Sequence, residues 1–193
     1  YTILPFVEVE SLSVNGAKFR AADGFPKTGF DGAKFTLILT HNMKNTDYNW
    51  TSGIQGIQVD SNGMVTLEFI INKEVTITGT PKSNKGNKVT YKFSLQKWFI
   101  PQGIIQESWS EMNSYCIGNG YILPSSTDLV GSSTSGAVPR KVGSLWGEYG
   151  NLTSYDGIFR AEHYWLDSGM IFYPGDGHLS IAPRSSPLCM KTF

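Results

Sequence analysis

Cysteine is scarce in this chain of 193 residues, which contains only Cys116 and Cys189. Neither belongs to a CxxC pair or to a Cys/His spacing that binds zinc, and this argues against a zinc or redox site. The two residues either form a disulfide or are unrelated buried thiols. If they pair, the bridge closes a loop of 73 residues. In the chain-entropy model such a bridge stabilises the fold by roughly 4 to 5 kcal/mol, and it indicates an extracellular module.

Net charge is lacking as well, because 16 basic residues balance 16 acidic ones and only 17% of the chain is charged. No basic stretch alternates with aromatic residues, so a nucleic-acid partner has little electrostatic support. No apolar run approaches the roughly 18 residues of a membrane span, and we expect no signal peptide among these residues. We expect part of a longer protein, with no direct membrane insertion by these residues, and with proteins or glycans as partners.

Glycine and aromatic residues, by contrast, are plentiful, with 21 glycines and 13% aromatic side chains. Residues 1–98 contain short segments with period-two alternation, separated by turn sequences such as Asn15-Gly16 and Asp60-Ser61-Asn62-Gly63. Regular short strands without a helix-period segment predict an all-β sandwich. The predicted strands are residues 6–9, 34–39, 63–69, 74–78 and 89–95.

The pattern changes from Phe99 onward, where helix signals appear. A capping box formed by Ser108 and Glu111 precedes three apolar residues at helical spacing, and together they predict a helix at residues 108–117. A second capping box, at Ser125 and Asp128, predicts another short helix that ends in the breaker-rich run 131–136. The apolar residues at helical spacing are Trp109, Met112 and Cys116. Strand-like pieces follow at residues 162–166, 170–173, 179–182 and 188–193.

Several segments of the first half share one sequence pattern, in which β-branched residues alternate around turns. They are Tyr48-Asn49-Trp50-Thr51-Ser52, Val59-Asp60-Ser61-Asn62-Gly63-Met64-Val65-Thr66, Val75-Thr76-Ile77-Thr78 and Val89-Thr90-Tyr91-Lys92-Phe93. Together they resemble the bacterial immunoglobulin-like repeat of surface proteins, over roughly residues 1–97. The repeat here lacks an intersheet disulfide, so we expect a buried Trp50 to fill that part of the core.

The second half has two short helices, a loop-rich middle and clustered strands. Its distinctive residues are Cys116, Gly120-Tyr121-Ile122-Leu123-Pro124-Ser125, Leu145-Trp146-Gly147-Glu148-Tyr149-Gly150, Tyr164-Trp165-Leu166-Asp167 and Cys189. These residues resemble the C-type lectin-like fold. That resemblance implies a disulfide from Cys116 in the first helix to Cys189 in the last strand.

An immunoglobulin-like repeat followed by a lectin-like module resembles the C-terminal tip of the intimin/invasin family of bacterial outer-membrane adhesins. In that family a β-barrel anchors the protein, immunoglobulin-like domains form a rod, and the tip binds a host protein. The resemblance implies two domains, an all-β immunoglobulin-like sandwich at 1–98 and an α+β C-type lectin-like domain at 99–193, on the bacterial cell surface. The apolar link at residues 96–101 has no Gly/Ser spacer, so we expect a stiff two-domain unit.

Motifs for metal binding and catalysis are absent. Calcium-dependent lectins carry Glu-Pro-Asn or Gln-Pro-Asp in a loop and Trp-Asn-Asp in the next strand, and this chain has none of them. Cys116 with His163 formally allows a thiol nucleophile and a base, but a disulfide to Cys189 would consume the thiol. Glu148 and Asp156 are interpreted as solvated loop acids rather than as a glycosidase pair. We therefore expect no metal, no cofactor and no enzyme activity.

Binding is indicated by polar loops that contain large side chains, because Arg, Tyr and Trp are enriched at the centres of protein interfaces. Trp146 and Trp165 are interpreted as core residues. The leading hypothesis is an adhesin tip that binds a host cell-surface or secreted protein through exposed loops of residues 128–193. The alternatives are a glycan-binding lectin and a structural cap that mediates bacterial self-association. The candidate contact residues are Arg140, Lys141, Tyr149, Tyr155, Asp156, Arg160 and Arg184.

Overall fold

A computed structural model describes residues 3–103, 105–133 and 136–193. Short strands dominate the first half, as the sequence predicts. In chain order they are β1 (Val9–Val14), β2 (Ala17–Arg20), β3 (Thr28–Phe30), β4 (Lys34–Leu39), β5 (Tyr48–Thr51), β6 (Ile57–Val59), β7 (Met64–Leu67), β8 (Val75–Pro81) and β9 (Val89–Phe93). Single 3-10 turns at Ala21–Asp23, Thr40–Asn42 and Asn45–Asp47 lie between some of them.

Most of these strands form two antiparallel sheets, with strand orders β2-β1-β4-β7-β6 and β5-β8-β9. Because successive side chains of a strand point to opposite faces, alternating apolar residues collect on one face. In this way β4 buries Phe35, Leu37 and Leu39, and β8 buries Val75 and Ile77. The apolar faces of the two sheets share one core, which confirms the predicted sandwich.

The second half contains three short helices and five strands among the described residues. They are β10 (Lys97–Pro101), α1 (Trp109–Gly118), α2 (Ser126–Val130), α3 (Leu145–Tyr149), β11 (Tyr164–Trp165), β12 (Ile171–Phe172), β13 (Leu179–Ser180) and β14 (Leu188–Thr192), with a 3-10 turn at Leu152–Ser154. Strands β11, β12 and β13 form a small antiparallel sheet. The loop that contains Gly175-Asp176-Gly177 joins β12 to β13.

A serine side chain caps each of the three helices. The hydroxyls of Ser108, Ser125 and Ser144 accept hydrogen bonds from first-turn N–H groups, which have no partner inside the helix. At α2 the Asp128 carboxylate also accepts the N–H of Ser125 at 2.9 Å, so that capping box is complete. The two predicted helices are therefore confirmed, whereas α3 is additional. Residues 134 and 135 of the predicted breaker run lie outside the described residues.

Strand β10 joins the two halves. It pairs antiparallel with β14, where Ile100 faces Cys189, and parallel with β3, where Phe99 faces Phe30. The sheet β14-β10-β3 therefore contains strands from both halves. The Lys97 ammonium also forms an ion pair with Asp128 of α2. The domain boundary expected between residues 98 and 99 falls inside β10 and remains a prediction.

The disulfide that the family resemblance implies is present. Cys116 of α1 is bonded to Cys189 of β14, with their Cα atoms 5.4 Å apart. A small apolar cluster surrounds the bridge, with Met112, Leu123 and Trp165 among its members. The main core runs continuously from the sandwich into α2, α3 and β14. The bridge therefore holds α1 and its cluster against a strand of the sheet that joins the halves.

Some elements differ from the sequence prediction. The first strand is β1 at Val9–Val14 rather than residues 6–9, because Leu12 and Val14 are buried while Ser11 and Ser13 alternate with them on the other face. Strands β2, β3, β5, β6 and β10 are additional. Trp165 is buried as expected, whereas Trp146 and Trp50 are only partly buried. Trp50 packs on Gly79, where a Cβ would come within 2.6 Å of the indole ring.

Candidate interaction surface

Glu148 of α3 is the central residue of the junction between the halves. Its carboxylate is fully buried and accepts the N–H groups of Lys27 at 3.0 Å, Thr28 at 2.9 Å and Gly143 at 2.9 Å. The Thr28 hydroxyl donates to it as well. A buried carboxylate needs such donors to offset the loss of hydration. The sequence interpretation of Glu148 as a solvated acid is therefore corrected, because α3 directs it into the first half.

Burial of this carboxylate affects its protonation. Desolvation raises the pKa of Glu148 above its ordinary value, while the hydrogen bonds from Thr28, Lys27 and Gly143 lower it, and the net direction is upward. Burial disfavours the charged form, and donors to the anion favour it. Glu148 therefore takes up a proton at higher pH in the folded protein than in the unfolded chain.

The turn between β1 and β2 is held by the second half. Asn15, at a φ of 42°, donates its side-chain amide to the carbonyls of Tyr149 and Asn151, both at 3.0 Å. In return the Arg140 guanidinium donates to the carbonyls of Val14 at 2.6 Å and Asn15 at 2.7 Å. It also donates to the carbonyls of Gly147 and Glu148. Arg140, predicted as a contact residue, thus holds the two halves together.

An aromatic cluster fills the space between the hydrogen bonds of Glu148 and those of Asn15 and Arg140. Phe30 of β3 makes edge contacts with Tyr149, Tyr155 and Phe159, at centroid distances of 5.0 to 5.2 Å. The Tyr149 hydroxyl donates to the carbonyl of Thr28 at 2.7 Å, and the Tyr155 hydroxyl to that of Tyr149 at 3.2 Å. Burial raises the pKa of both phenols. The structure therefore gives Tyr149 (0% exposed) and Tyr155 (8% exposed) an internal role rather than the surface position expected of contact residues.

The exposed candidates are spread around the junction. Asp156 lies at the mouth of a cleft of about 330 Å³, with its carboxylate 4.0 Å from the Lys34 ammonium. Arg160 lines another cleft, of about 770 Å³, together with the apolar side chains of Phe69, Ile70 and Ile105. We call them the Asp156 cleft and the Arg160 cleft. Both have walls from the two halves, so each would be incomplete in either half alone.

A third cleft is basic. It has a volume of about 750 Å³, and Lys18, Lys27, Arg140 and Lys141 line it; we call it the basic groove. Arg184 is exposed and lines none of these three clefts. The predicted contact residues therefore do not form one continuous site.

Comparison with known proteins decides the family. A family model for invasin domain 4 matches residues 10–93. Invasin of Yersinia enterocolitica is 30% identical over 169 residues, covering 85% of this chain and 20% of that protein. The inverse autotransporter adhesin YeeJ of Escherichia coli K12 is 31% identical over 163 residues, covering 82% of this chain and 7% of that protein. The chain belongs to the intimin/invasin family.

Solved structures of this family share the fold. A crystal structure of invasin, described as a bacterial integrin-binding protein, superposes with a TM-score of 0.87 at 27% identity, covering 100% of this chain and 40% of that one. A C-terminal fragment of intimin, in complex with the intimin-binding domain of the translocated intimin receptor, superposes with a TM-score of 0.68 at 16% identity, covering 96% and 66%. The intimin/invasin chain described here is thus an immunoglobulin-like sandwich followed by a C-type lectin-like module.

The family places this chain at the bacterial surface, as the extracellular part of an outer-membrane-anchored protein. It spans only a fifth or less of the full-length relatives that it matches. Among the described residues no helix has the length and apolarity to cross a bilayer. The same residues hold no cluster of three or more His, Cys, Asp or Glu side chains suited to a metal ion.

The lectin-like module also carries a histidine cluster that sequence patterns did not indicate. The His178 ring stacks on Tyr173 with centroids 4.1 Å apart, and its Nδ1 lies 2.5 Å from a carboxylate oxygen of Asp176. On the other side, His163 meets Tyr173 edge-on and its Nδ1 lies 2.6 Å from the Ser185 hydroxyl. Hydrogen bonds from His178 lower the pKa of Asp176. These contacts order the β12–β13 hairpin of the intimin/invasin module.

The residues of the first half that hold the junction were missed by sequence reasoning. Asn15 and Thr28 lie in a turn and a short strand of the first half, and their partners lie about 120 to 136 positions further along. Asn15-Gly16 was correctly recognised as a turn, but a turn sequence carries no signal of what it packs against. For Glu148, the sequence signal that could have indicated burial was its position directly after Gly147, within the short helical segment that Ser144 caps.

Proposed function

We propose that this chain is the adhesive tip of a bacterial surface adhesin and binds a host cell-surface protein through the exposed loops of its lectin-like module. The observation that carries the proposal is the likeness to the invasin crystal structure over the whole chain, with a TM-score of 0.87 at 27% identity. That structure is described as an integrin-binding protein. Integrins are therefore the first class of receptor to test.

The rigid junction supports this proposal. A receptor-binding surface gains affinity when its groups are already held in place, because less order has to be imposed on binding. Here the shared sheet, the Glu148 carboxylate and the Asn15 turn hold the clefts of both halves in one arrangement. We take residues 1–98 and 99–193 as the two domains of this unit. Binding requires no cofactor in this proposal.

Cell binding by the isolated chain tests the proposal. We expect saturable binding of the labelled chain to cultured host cells, and capture of purified integrin ectodomains on the immobilised chain. Replacing Lys141, Asp156, Arg160 and Arg184 by Ala together should weaken binding, because these four predicted contact residues are exposed. The control Lys82→Ala/Lys85→Ala alters exposed residues of the β8–β9 connection and should bind like the wild type.

Three results would contradict the proposal. Absence of saturable binding to host cells would remove its basis. Binding to protein-free glycans on an array with the same sensitivity to the substitutions would favour the lectin function. A concentration-dependent monomer–dimer equilibrium in sedimentation, without host-cell binding, would favour self-association of bacteria.

A further inference from the structure

The basic groove collects positive charge from both halves. Lys18 lies on β2, Lys27 precedes β3, and Arg140 and Lys141 lie in the loop before α3. Of these, Lys18 and Lys141 are exposed. Asp23 is the acidic side chain of the groove lining, and it is already paired with Arg20 at 3.1 Å. Basic residues therefore outnumber acidic ones around this cavity in a chain whose net charge is zero.

The charges of the groove are not neutralised by partners within the described chain. Lys18, Lys27 and Lys141 form no ion pair among the described residues. The Arg140 guanidinium bonds carbonyl oxygens, which satisfy its donors without cancelling its charge. The Glu148 carboxylate beneath the loop is enclosed by the N–H groups of Lys27, Thr28 and Gly143. A ligand that enters the groove therefore meets uncompensated positive charge.

One wall of the groove is the free edge of a sheet. Strand β2 is the terminal strand in the order β2-β1-β4-β7-β6 and pairs only with β1 within the described residues. Because the turn between β1 and β2 has two residues, Val14 and Ala17 form the hydrogen-bonded pair that closes this hairpin. Hydrogen-bonded and non-bonded pairs then alternate, so Lys18 directs its main-chain N–H and C=O away from β1. The N–H of Arg20, the next residue that faces outward, is taken by the Asp23 carboxylate at 3.1 Å, so the edge offers an added strand the N–H and C=O of Lys18.

The floor of the groove is partly apolar. Ala17, Phe19 and Val142 line it, and the Arg140 guanidinium lies 5.9 Å from the centroid of the Phe19 ring. The surface therefore suits a chain whose acidic side chains alternate with small apolar ones. Such alternation matches the period of two in an extended peptide.

We propose that the basic groove binds an extended acidic segment of a partner protein, which pairs as a short strand with the outer edge of β2 at Lys18. Main-chain hydrogen bonds to Lys18 provide the register, and Lys18, Lys27 and Lys141 recognise the carboxylates. The inference rests on the proposed function in so far as the segment belongs to a host protein. A peptide is favoured over a sulfated glycan because a glycan cannot use the strand edge.

A labelled peptide of alternating glutamate and valine tests this inference with the whole chain. We expect it to bind in fluorescence anisotropy, and to bind more weakly as salt is added. The charge reversal Lys18→Glu/Lys141→Glu should weaken binding by about tenfold or more, since two attractive contacts become repulsive. The milder variant Lys18→Gln/Lys141→Gln should weaken it by a smaller factor. Lys82→Glu/Lys85→Glu makes the same change of net charge elsewhere and should change affinity by less than about twofold.

Two further probes separate strand addition from simple charge attraction. The same peptide with alternate amides N-methylated, on the side that would face β2, should bind about tenfold more weakly or not at all, because it cannot pair with the edge. Equal binding of the methylated peptide overturns the inference. So does equal weakening by both charge-reversal pairs, or binding of a heparin oligosaccharide to the groove while the peptide fails to bind.

Parallel cell-binding assays keep this inference separate from the proposed function. If the wild-type chain binds the peptide but not host cells, the proposed function is wrong and the inference that the basic groove binds an acidic segment is supported. If the wild-type chain binds host cells but not the peptide, the groove inference is wrong and the proposed function stands.

Discussion

At the scale of single residues, the buried Glu148 carboxylate matters most. It lies on a one-and-a-half-turn helix of the lectin-like module, yet most of its hydrogen-bond donors belong to the immunoglobulin-like half. A carboxyl group buried in such a position needs every donor in place to offset the loss of hydration. The residue therefore makes the junction specific: the two halves satisfy each other's polar groups in one arrangement.

Replacing this carboxylate should destabilise the whole chain. In Glu148→Ala the N–H groups of Lys27, Thr28 and Gly143 lose their acceptor inside the protein. We expect the free energy of unfolding to fall by about 3 kcal/mol or more. Urea denaturation followed by tryptophan fluorescence measures it. Glu162→Ala, at an exposed position of the same half, should change stability by less than about 0.5 kcal/mol, and an equal loss in both variants would contradict the assignment.

The raised pKa of Glu148 predicts a pH dependence of stability. Since burial raises the folded-state pKa above the unfolded value, the folded state binds the proton more tightly. The contribution of Glu148 to stability is then complete below the unfolded pKa and declines as pH rises through the folded pKa. The difference in unfolding free energy between wild type and Glu148→Gln, measured from pH 4 to pH 8, should therefore shrink toward higher pH. A difference that grows with pH would show that the hydrogen bonds outweigh desolvation.

At the scale of elements, the molecule is held together by short pieces that are weak alone. Strands of two to four residues, such as β3, β11 and β13, have few hydrogen bonds of their own. Each becomes stable by pairing with a neighbour or by packing on the shared core. The β1–β2 turn and the α1–β14 disulfide are two of the connections that join elements across long sequence distances.

The β1–β2 turn can be tested with a nearly isosteric change. Asn15→Asp retains the size and the tolerance for positive φ but replaces the amide donor by an oxygen facing the carbonyls of Tyr149 and Asn151. We expect a loss of about 2 kcal/mol in unfolding free energy. Asn84→Asp provides the matched control, because Asn84 also has a positive φ, 58°, in an exposed turn. If the control variant loses as much stability, the effect belongs to turn conformation and not to the junction.

The disulfide should contribute a large share of the net stability. Opening the bridge between Cys116 and Cys189 releases a loop of 73 residues in the unfolded chain. In the chain-entropy model this costs about 4 kcal/mol. Urea denaturation with and without a reducing agent measures the loss, and Cys116→Ser/Cys189→Ser should reproduce it. A reduced protein as stable as the oxidised one would show that the apolar cluster around the bridge suffices.

At the scale of the whole molecule, the two halves are one structural unit. The strand β10 lies between β3 of the first half and β14 of the second, and the main core passes through the junction. The clefts that carry the exposed candidate residues have walls from both halves. Adhesion is therefore proposed for the pair of modules rather than for the lectin-like module by itself.

This unity predicts that the lectin-like module does not fold alone. A fragment of residues 97–193 keeps β10 but exposes Phe99 and removes the Lys27 and Thr28 donors of Glu148. We expect weak near-UV circular dichroism and no cooperative urea transition in the fragment, whereas the whole chain shows both. A cooperative transition of the fragment would instead support two independent domains.

The sequence by itself determined the fold class, the two main helices, several strands and the family. These features rest on local signals, namely the period of two, the capping boxes of Ser108 and Ser125, and the family motifs around the cysteines. The sequence also located loops rich in charged residues, but it did not indicate which of their side chains remain exposed. Arg140, Tyr149 and Tyr155 have the composition of an interface and lie in one, between the halves of the chain itself.

The tertiary structure alone decided how the halves meet. Glu148 lies 120 positions from Thr28, and Arg140 lies 126 from Val14, so neither contact leaves a periodic trace in the sequence. Whether the Glu148 carboxylate is solvated or buried depends on which segments pack against it. The pairing of β10 with β3 and β14 determines those segments. The clefts of the junction exist only after this pairing, because their walls come from segments that the sequence keeps far apart.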